Sequence, residues 1–116
     1  MSKGHKEGQF IFAKDAKGQE VAPGVVRKVL AYCKEAMCVV HEFEEGAVGE
    51  LHSHPQTQIT YVLKGRFMFR IGFNEKEVAA GDSMCKQNEV KHGVKCLEKG
   101  VLLDFFNPMR EDFVKV

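Results

Sequence analysis

Two histidines and a glutamine stand close together in the segment GAVGELHSHPQTQITYVLKG, which runs from Gly46 to Gly65. His52 and His54 are two residues apart, so an extended backbone directs both side chains to the same face, and Gln58 has the same parity. Two imidazoles with an amide oxygen nearby supply three of the four protein donors that a transition-metal site commonly uses. A pair of surface histidines in a polar loop is the simpler alternative, and this spacing alone does not decide between the two.

A third histidine, His92, offers a further donor. It follows the turn residue Gly81 in the segment GDSMCKQNEVKHGV and stands at the head of an apolar run. His92 lies too far along the chain from His54 for local structure to bring the two side chains together. A metal site that uses His92 therefore requires a closed fold that returns distant segments to one point.

The elements that would position these residues are short strands. Segments rich in Val, Ile, Phe and Tyr follow one another after Gly24, and no convincing helix lies between them. Breaks at Lys64-Gly65, Gly72-Phe73-Asn74 and Ala80-Gly81-Asp82 contain residues that tolerate positive φ, which predicts hairpin turns. This pattern predicts an all-β antiparallel sandwich or barrel. The predicted strands are 25–32, 37–43, 58–63, 67–73, 77–79, 93–97 and 101–106.

Length and composition limit the other possibilities. The chain has 116 residues, of which 44% are apolar and 28% are charged, so we expect one globular domain. We predict a loose arm over residues 1–23, with one short strand around Phe10 to Phe12, and a β-barrel over residues 24–116. A net charge of +1 without a basic cluster argues against nucleic acid as a partner.

No apolar run is long enough to cross a membrane or to act as a signal peptide, so we expect no membrane partner and a cytoplasmic protein. The four cysteines lack any C-x-x-C pair. We expect them to be small buried apolar residues rather than disulfide partners.

The two histidine segments together resemble the two motifs of the cupin family. The first motif is matched from Gly46 to Gly65, with Gln58 where many cupins have Glu. The second is matched from Gly81 to Cys96, although Gln87, Glu89 and Cys96 replace its usual Pro, Gly and Asn. The resemblance implies a small cupin-type antiparallel β-barrel, jelly-roll-like, that holds a metal ion through His52, His54, Gln58 and His92.

Within the cupins the chain resembles the single-domain pectin-degradation type, from Gly24 to Phe113. The segments GVVRKVLAY, HSHPQTQ, YVLKG, AGDS and LLDFFNPMREDF carry this narrower resemblance. Members of that family linearise 4,5-unsaturated uronates released from pectin and alginate, and they use the Gln form of the first motif. The resemblance implies functional roles for the residues at the matching places of a D-x-F-x-P-x-R pattern, namely Asp104, Phe106 and Arg110.

These residue types suit an anionic sugar. Three neutral imidazoles and a neutral amide leave the 2+ charge of Zn, Ni, Fe, Mn or Cu uncompensated, which favours an anionic ligand. In an extended segment Asp104, Phe106 and Arg110 share one parity and would line one wall of the pocket. Arg110 would hold a carboxylate through two parallel hydrogen bonds, Phe106 would pack on the sugar ring, and Asp104 would act as general acid or base.

Simpler interpretations of these three residues in the C-terminal segment are also open. Asp104 could prevent a strand edge from pairing, Phe106 could belong to the core, and Arg110 could form a surface ion pair with Glu111 and Asp112. His41, on a predicted strand, is expected to be a hydrogen-bonded histidine rather than a metal ligand.

The expected function is metal-dependent ring opening of an unsaturated uronate. A proton delivered to the ring carbon creates oxocarbenium character, water adds, and the hemiketal opens to a linear keto sugar acid. The alternatives are an Fe(II)-dependent dioxygenase-type cupin that uses the same histidines, and a non-catalytic sugar- or anion-binding cupin. Apolar residues on both faces of the strands, together with the resemblance, predict a homodimer.

Overall fold

The computed structural model describes residues 8–115, and most of them lie in strands. Every strand pairing is antiparallel, in the order β1-β2-β3-β8-β5-β6, with β4 added to β8 and β7 added to β5. The predicted all-β antiparallel architecture is confirmed. The strands are β1 Gln19–Ala22, β2 Val25–Tyr32, β3 Met37–Phe43, β4 Val48–His52, β5 Thr57–Ile71, β6 Asn74–Ala79, β7 Ser83–Lys86 and β8 His92–Asn107, with short 3₁₀ turns at Ala13–Asp15 and Glu111–Phe113.

The two longest strands, β5 and β8, each contribute to two layers. The first half of β8 pairs with β4, and its second half pairs with β3. β5 follows the same division, because its first half pairs with β7 and its second half with β6. Within residues 8–115 no pairing joins β1 to β6, so the sheet folds over itself as a jelly-roll-like pair of layers and is not closed into a ring by hydrogen bonds.

The fold-over occurs at Gly65 and Gly100, where β5 and β8 cross closely. Gly65 has a φ of +87°, and a Cβ at this position would meet the backbone of Gly100 at 2.6 Å. The pairing register is irregular between Val62 and Phe67. The hairpin predicted at Lys64-Gly65 is therefore wrong, because the same glycine chemistry here bends one continuous strand.

Three other details differ from the sequence-based expectations. Strands β4 and β7 were not predicted, since each has only four or five residues and is mostly exposed. The short strand expected around Phe10 to Phe12 is absent, and the strand of this arm lies at Gln19–Ala22, where β2 offers a pairing edge. Residues 1–7 of the predicted arm lie outside the described residues.

The core consists of two groups of buried side chains, and members of both groups line a cavity. Cys96 belongs to the larger group, whereas Cys33 and Cys85 are exposed, which corrects the expectation that the cysteines are buried. The larger group is Val25, Phe43, Ala47, Val62, Phe67, Phe69, Cys96 and Leu102, and the smaller is Met37, Val39 and Phe106.

No helix among residues 8–115 is long and apolar enough to cross a membrane.

Candidate metal centre

Three histidines, two from one segment and one from a distant segment, come together beside a cavity that His52 and His92 line. His52 is the last residue of β4 and pairs directly with His92, the first residue of β8. His54 lies in the connection from β4 to β5, and its ring centroid is 5.5 Å from that of His52 and 5.0 Å from that of His92. One ring nitrogen from each histidine lies within 4.8 Å of the other two.

The backbone fixes the tautomer of all three rings. The Nδ1 atoms of His52, His54 and His92 lie 2.8–3.0 Å from the carbonyl oxygens of Glu50, Gln56 and Val90, each two residues away along the chain. Because a carbonyl oxygen only accepts, each Nδ1 carries the hydrogen and each Nε2 presents a lone pair. This arrangement orients metal-binding imidazoles in many proteins.

One of these lone pairs is buried without a partner. His92 Nε2 has no hydrogen-bond partner among the described residues, and leaving a buried acceptor unpaired costs about 1–3 kcal/mol. Burial lowers the pKa of His92 to about 4 and also lowers the pKa of His54. Both rings are therefore neutral near pH 7, which is the form that binds a metal ion.

Gln58 completes the set of donors. Its amide nitrogen donates to Asp104 Oδ1 at 2.8 Å, which turns Oε1 toward His54 Nε2 at 2.9 Å. Both facing atoms are acceptors in the neutral state, so they repel one another unless a cation or a proton lies between them. Two ligands of one metal ion, each bound at about 2.1 Å, lie about 3.0–3.4 Å apart, so this pair of atoms would need to separate by only a fraction of an ångström to share an ion.

The carboxylate of Asp104 lies directly behind Gln58, in the second half of β8. Thr60, opposite Asp104 in the β5–β8 register, donates to Oδ1, and His41 donates to Oδ2 at 2.7 Å. Burial alone would raise the pKa of Asp104, but the hydrogen bonds from His41 and Thr60 and the charge of Lys86 outweigh it and hold this pKa below its ordinary value. Asp104 is therefore ionised near pH 7.

Lys86 is a buried cation that sequence reasoning missed. It ends β7, its side chain is 2% exposed, and its ammonium group donates to Thr60 Oγ1 and lies 4.7 Å from the centre of the Phe69 ring. Burial lowers the pKa of Lys86 to about 8, although the charge of Asp104 acts in the opposite direction. Lys86, Thr60 and Asp104 thus form one hydrogen-bonded chain that ends at Gln58, the candidate metal donor.

His41 has partners on both ring nitrogens, in line with the expectation of a hydrogen-bonded histidine. It donates from Nδ1 to Asp104 and accepts at Nε2 from Nε of Arg27, its partner in the β2–β3 register, at 3.2 Å. The sequence showed Arg27 only as one position of an alternating strand. Its place in the site depends on how β2, β3 and β8 lie side by side.

Phe106 and Arg110 both line the cavity, but they do not do so from one continuous strand as expected. Phe106 is buried in the core and also lines the cavity, where its ring centroid lies 5.6 Å from that of His54. β8 ends at Asn107, so the shared parity with Arg110 does not continue through the strand. Arg110 nevertheless lines the cavity, where its guanidinium stacks on Phe113 with Cζ 4.4 Å from the ring centroid.

Arg110 already has an anionic partner. Its Nε and Nη2 groups donate to the two carboxylate oxygens of Asp112 at 3.1 and 2.9 Å. The side chain of Arg110 is 14% exposed and that of Asp112 is 60% exposed. The ion pair considered from the sequence therefore exists, and it occupies one edge of the guanidinium expected to bind a substrate carboxylate.

All these groups surround a cavity of about 320 Å³, within the size range of small-molecule sites. Imidazoles, two carboxylates and three cations lie on its wall among aromatic and aliphatic side chains. The polar lining residues are Arg27, His41, Glu50, His52, Gln58, Lys86, His92, Asp104 and Arg110.

Comparison with known proteins supports the resemblance found in the motifs. Residues 39–106 match the cupin domain family model. The chain is 38% identical over 99 residues to the pectin degradation protein KdgF of Dickeya dadantii (strain 3937), which covers 83% of this chain and 89% of that protein.

Two solved structures have closely similar folds. An RmlC-like cupin from Shewanella frigidimarina NCIMB 400 superposes with a TM-score of 0.87 at 35% identity, covering 90% of this chain and 95% of that one. KdgF from Halomonas sp. superposes with a TM-score of 0.87 at 32% identity, covering 91% and 98%. The predicted cupin fold is confirmed, and the chain belongs to the cupin family and, within it, to the relatives of the pectin degradation protein KdgF.

Proposed function

We propose that this protein opens the ring of 4,5-unsaturated uronates from pectin or alginate breakdown, giving linear keto sugar acids, with a divalent metal ion bound by its histidines. The observation that carries the proposal is the facing pair of acceptors, His54 Nε2 and Gln58 Oε1, held in place by the buried carboxylate of Asp104. The name of the relative from Dickeya dadantii, a pectin degradation protein, supports the same substrate class.

His52, His54, His92 and Gln58 would hold the ion. Imidazole-rich ligation favours Zn, Ni, Fe or Cu over Ca or Mg. A bound ion would act as a Lewis acid that polarises a substrate oxygen, and the neutral protein donors would leave its full charge available for that purpose. An anionic sugar suits this charge.

Asp104 is the residue that we assign to proton transfer. A carboxylate has about four lone-pair sites, and Gln58, Thr60 and His41 occupy three of them, which leaves one for a group in the cavity. Because the pKa of Asp104 is lowered, this residue begins the reaction as a base and not as an acid. The sequence alone left this order open.

The chemistry that follows needs no other reactant. Asp104 takes the proton of the hydroxyl on C1, the bond between C1 and the ring oxygen breaks, and C1 becomes an aldehyde. The ring oxygen leaves as the enol oxygen on C5, and transfer of the proton to C4 gives the 5-keto acid. Substrate and product are isomers, so every atom and electron pair is accounted for. This order starts at the C1 hydroxyl, whereas the route outlined from the sequence starts with protonation of the ring carbon.

Apolar rings close the cavity around the sugar. Phe106 and Phe113 pack edge to face at a centroid distance of 5.5 Å, and both line the cavity. They would exclude water and strengthen the charge interactions inside.

The direct test follows the ultraviolet absorbance of the conjugated double bond in an unsaturated uronate. Metal-loaded protein should remove this absorbance much faster than it disappears spontaneously. If the rate stays at the spontaneous value and the uronate is recovered unchanged, the protein is a binding protein and not an enzyme. Oxygen uptake that requires iron would instead support the dioxygenase alternative.

We also propose a homodimer through the outer face of the β5–β8 pair. The side chains of Ile59, Tyr61, Leu63 and Phe105 point away from the cavity and are more than one-third exposed, although all four are apolar or aromatic. Ile59 and Phe105 are direct cross-strand partners, so the exposed surface is continuous. Light scattering should give twice the 13.1 kDa chain mass, and Ile59→Lys should give the monomer. A monomeric wild type would contradict this assignment.

A further inference from the structure

We propose that Arg27 is a substrate-binding residue that receives the carboxylate of the uronate in the cavity, an inference that rests on the proposed function. Arg27 belongs to β2, at the opposite end of the sequence from the tail that supplies Arg110. Neither cupin motif includes it.

The guanidinium of Arg27 is held in place while part of it stays available. Its Cζ atom lies 3.5 Å from the centre of the Phe113 ring, and its Nε group donates to His41. The two terminal nitrogens, Nη1 and Nη2, have no hydrogen-bond partner within residues 8–115, and the residue lines the cavity. A planar pair of free N–H donors, fixed by stacking, matches the geometry of a carboxylate.

Arg110 is less suited to this role, because Asp112 already accepts from its Nε and Nη2 groups and neutralises its charge. Both arginines stack on the same Phe113 ring, with their Cζ atoms 3.5 and 4.4 Å from its centroid. Burial lowers the pKa of Arg27, and the nearby charge of Arg110 lowers it further. The carboxylates of Asp112 and Asp104 act in the opposite direction, and the carboxylate of an anionic ligand would stabilise the charged guanidinium further.

Arg27 is also connected to the proposed base. Its hydrogen bond to His41, and the bond from His41 to Asp104, form a continuous chain from the proposed carboxylate subsite to the proton-transfer group. We therefore expect loss of Arg27 to weaken binding of the acid first, with a smaller effect on kcat through the orientation of His41.

The test measures binding separately from turnover. Isothermal titration calorimetry of the metal-loaded protein would compare saturated D-galacturonate, which carries the carboxylate, with D-galactose, which lacks it. In Arg27→Gln we expect galacturonate to bind about 10- to 100-fold more weakly, with galactose binding unchanged. The KM for an unsaturated uronate should rise by a similar factor.

Lys28→Gln is the matched control, because it removes a cation from the next position of β2. Lys28 pairs with Glu42 at 3.2 Å and does not line the cavity, so this variant should bind like the wild type. If Arg27→Gln folds poorly, Arg27→Lys keeps the charge without the planar pair of donors and should show an intermediate loss.

Equal binding of galacturonate by wild type and Arg27→Gln would overturn the inference. So would an equal loss of acid and neutral sugar, since that result indicates a structural role. A protein that binds galacturonate through Arg27 but turns over no unsaturated uronate would preserve this subsite and refute the proposed function, so the two failures can be told apart.

Discussion

His54 Nε2 and Gln58 Oε1 face one another at 2.9 Å, and neither atom carries a hydrogen when both groups are neutral. The amide of Gln58 cannot rotate to relieve this contact, because its nitrogen donates to the ionised Asp104 carboxylate. Asp104 thereby sets the orientation of the proposed metal donor Gln58, and it also lines the cavity proposed to bind the substrate. Substitutions of Gln58 and of Asp104 should therefore affect both metal binding and the proposed proton transfer.

Gln58→Glu should destabilise the metal-free protein. The new carboxylate would lie next to Asp104 and lose the hydrogen bond that now joins these residues, which leaves two buried like charges in contact. We expect the free energy of unfolding near pH 7 to fall by about 3 kcal/mol, measured by urea denaturation in the presence of a chelator. Gln87→Glu, at an exposed position, is the control and should change little. A stability for Gln58→Glu equal to that of the wild type would refute this geometry.

Asp104→Ala should abolish turnover while the histidines keep their metal ion. Loss of the base should lower kcat by about 100- to 10,000-fold. Metal affinity should fall by about 10- to 100-fold because Gln58 loses its anchor, yet one ion per chain should remain at saturating metal. Elemental analysis and the absorbance assay measure the two effects. Asp15→Ala, at an exposed position, should behave like the wild type, and full activity in Asp104→Ala would show that another group moves the proton.

Lys86 should make the metal-free protein more stable at high pH. Below about pH 8 the lysine is protonated in both folded and unfolded chains, and burying its charge costs stability. Between about pH 8 and 10.5 the folded protein has lost this proton while the unfolded chain keeps it, so the free energy of unfolding rises by about 3 kcal/mol.

Urea denaturation across this pH range, compared between wild type and Lys86→Met, isolates the contribution of Lys86. As the pH rises, the free energy of unfolding of the wild type should increase relative to that of Lys86→Met. A difference that does not vary with pH would mean that Lys86 keeps an ordinary pKa.

The sequence contained enough information to find the three clustered histidines but not the groups behind them. The residue types and spacing of His52, His54 and His92 indicated a metal site, and the structure brings these distant segments to one point, as that hypothesis required. Lys86 lies in the polar segment DSMCKQNEV, on a strand of four residues. Periodicity cannot reveal so short a strand, and the burial of Lys86 arises from the pairing of β7 with β5.

The same limit applies to Gly65 and to Arg27. Glycine at position 65 signalled positive φ correctly, but a local signal does not distinguish a hairpin turn from a bend within a strand. Arg27 alternates with apolar neighbours, and only the lateral order of β2, β3 and β8 shows that it faces His41. Side-chain networks that cross several strands depend on tertiary register, which no local pattern encodes.

The loop before His92 should become more stable when its backbone strain is removed. Glu89, which stands where the second motif usually has Gly, has a φ of +54°, a conformation that glycine adopts without steric cost. After subtracting the extra chain entropy of glycine, we expect Glu89→Gly to raise the free energy of unfolding by about 0.5–1 kcal/mol. Thermal unfolding measures the change.

Glu75→Gly is the matched control, because it places glycine in the interior of β6 and should be destabilising. A loss of stability in Glu89→Gly would show that the side chain of Glu89 contributes more than its backbone conformation costs.

The central claim is that one metal ion, held by His52, His54, His92 and Gln58, supports ring opening. Its most direct test is a titration of the chelator-treated protein with one metal at a time, in which bound metal per chain and the rate of absorbance loss are measured on the same samples. The rate should rise in proportion to bound metal, level off at one ion per chain, and stay at the spontaneous value in His92→Ala. A metal-free protein that is already fully active, or a His92→Ala variant as active as the wild type, would contradict the claim.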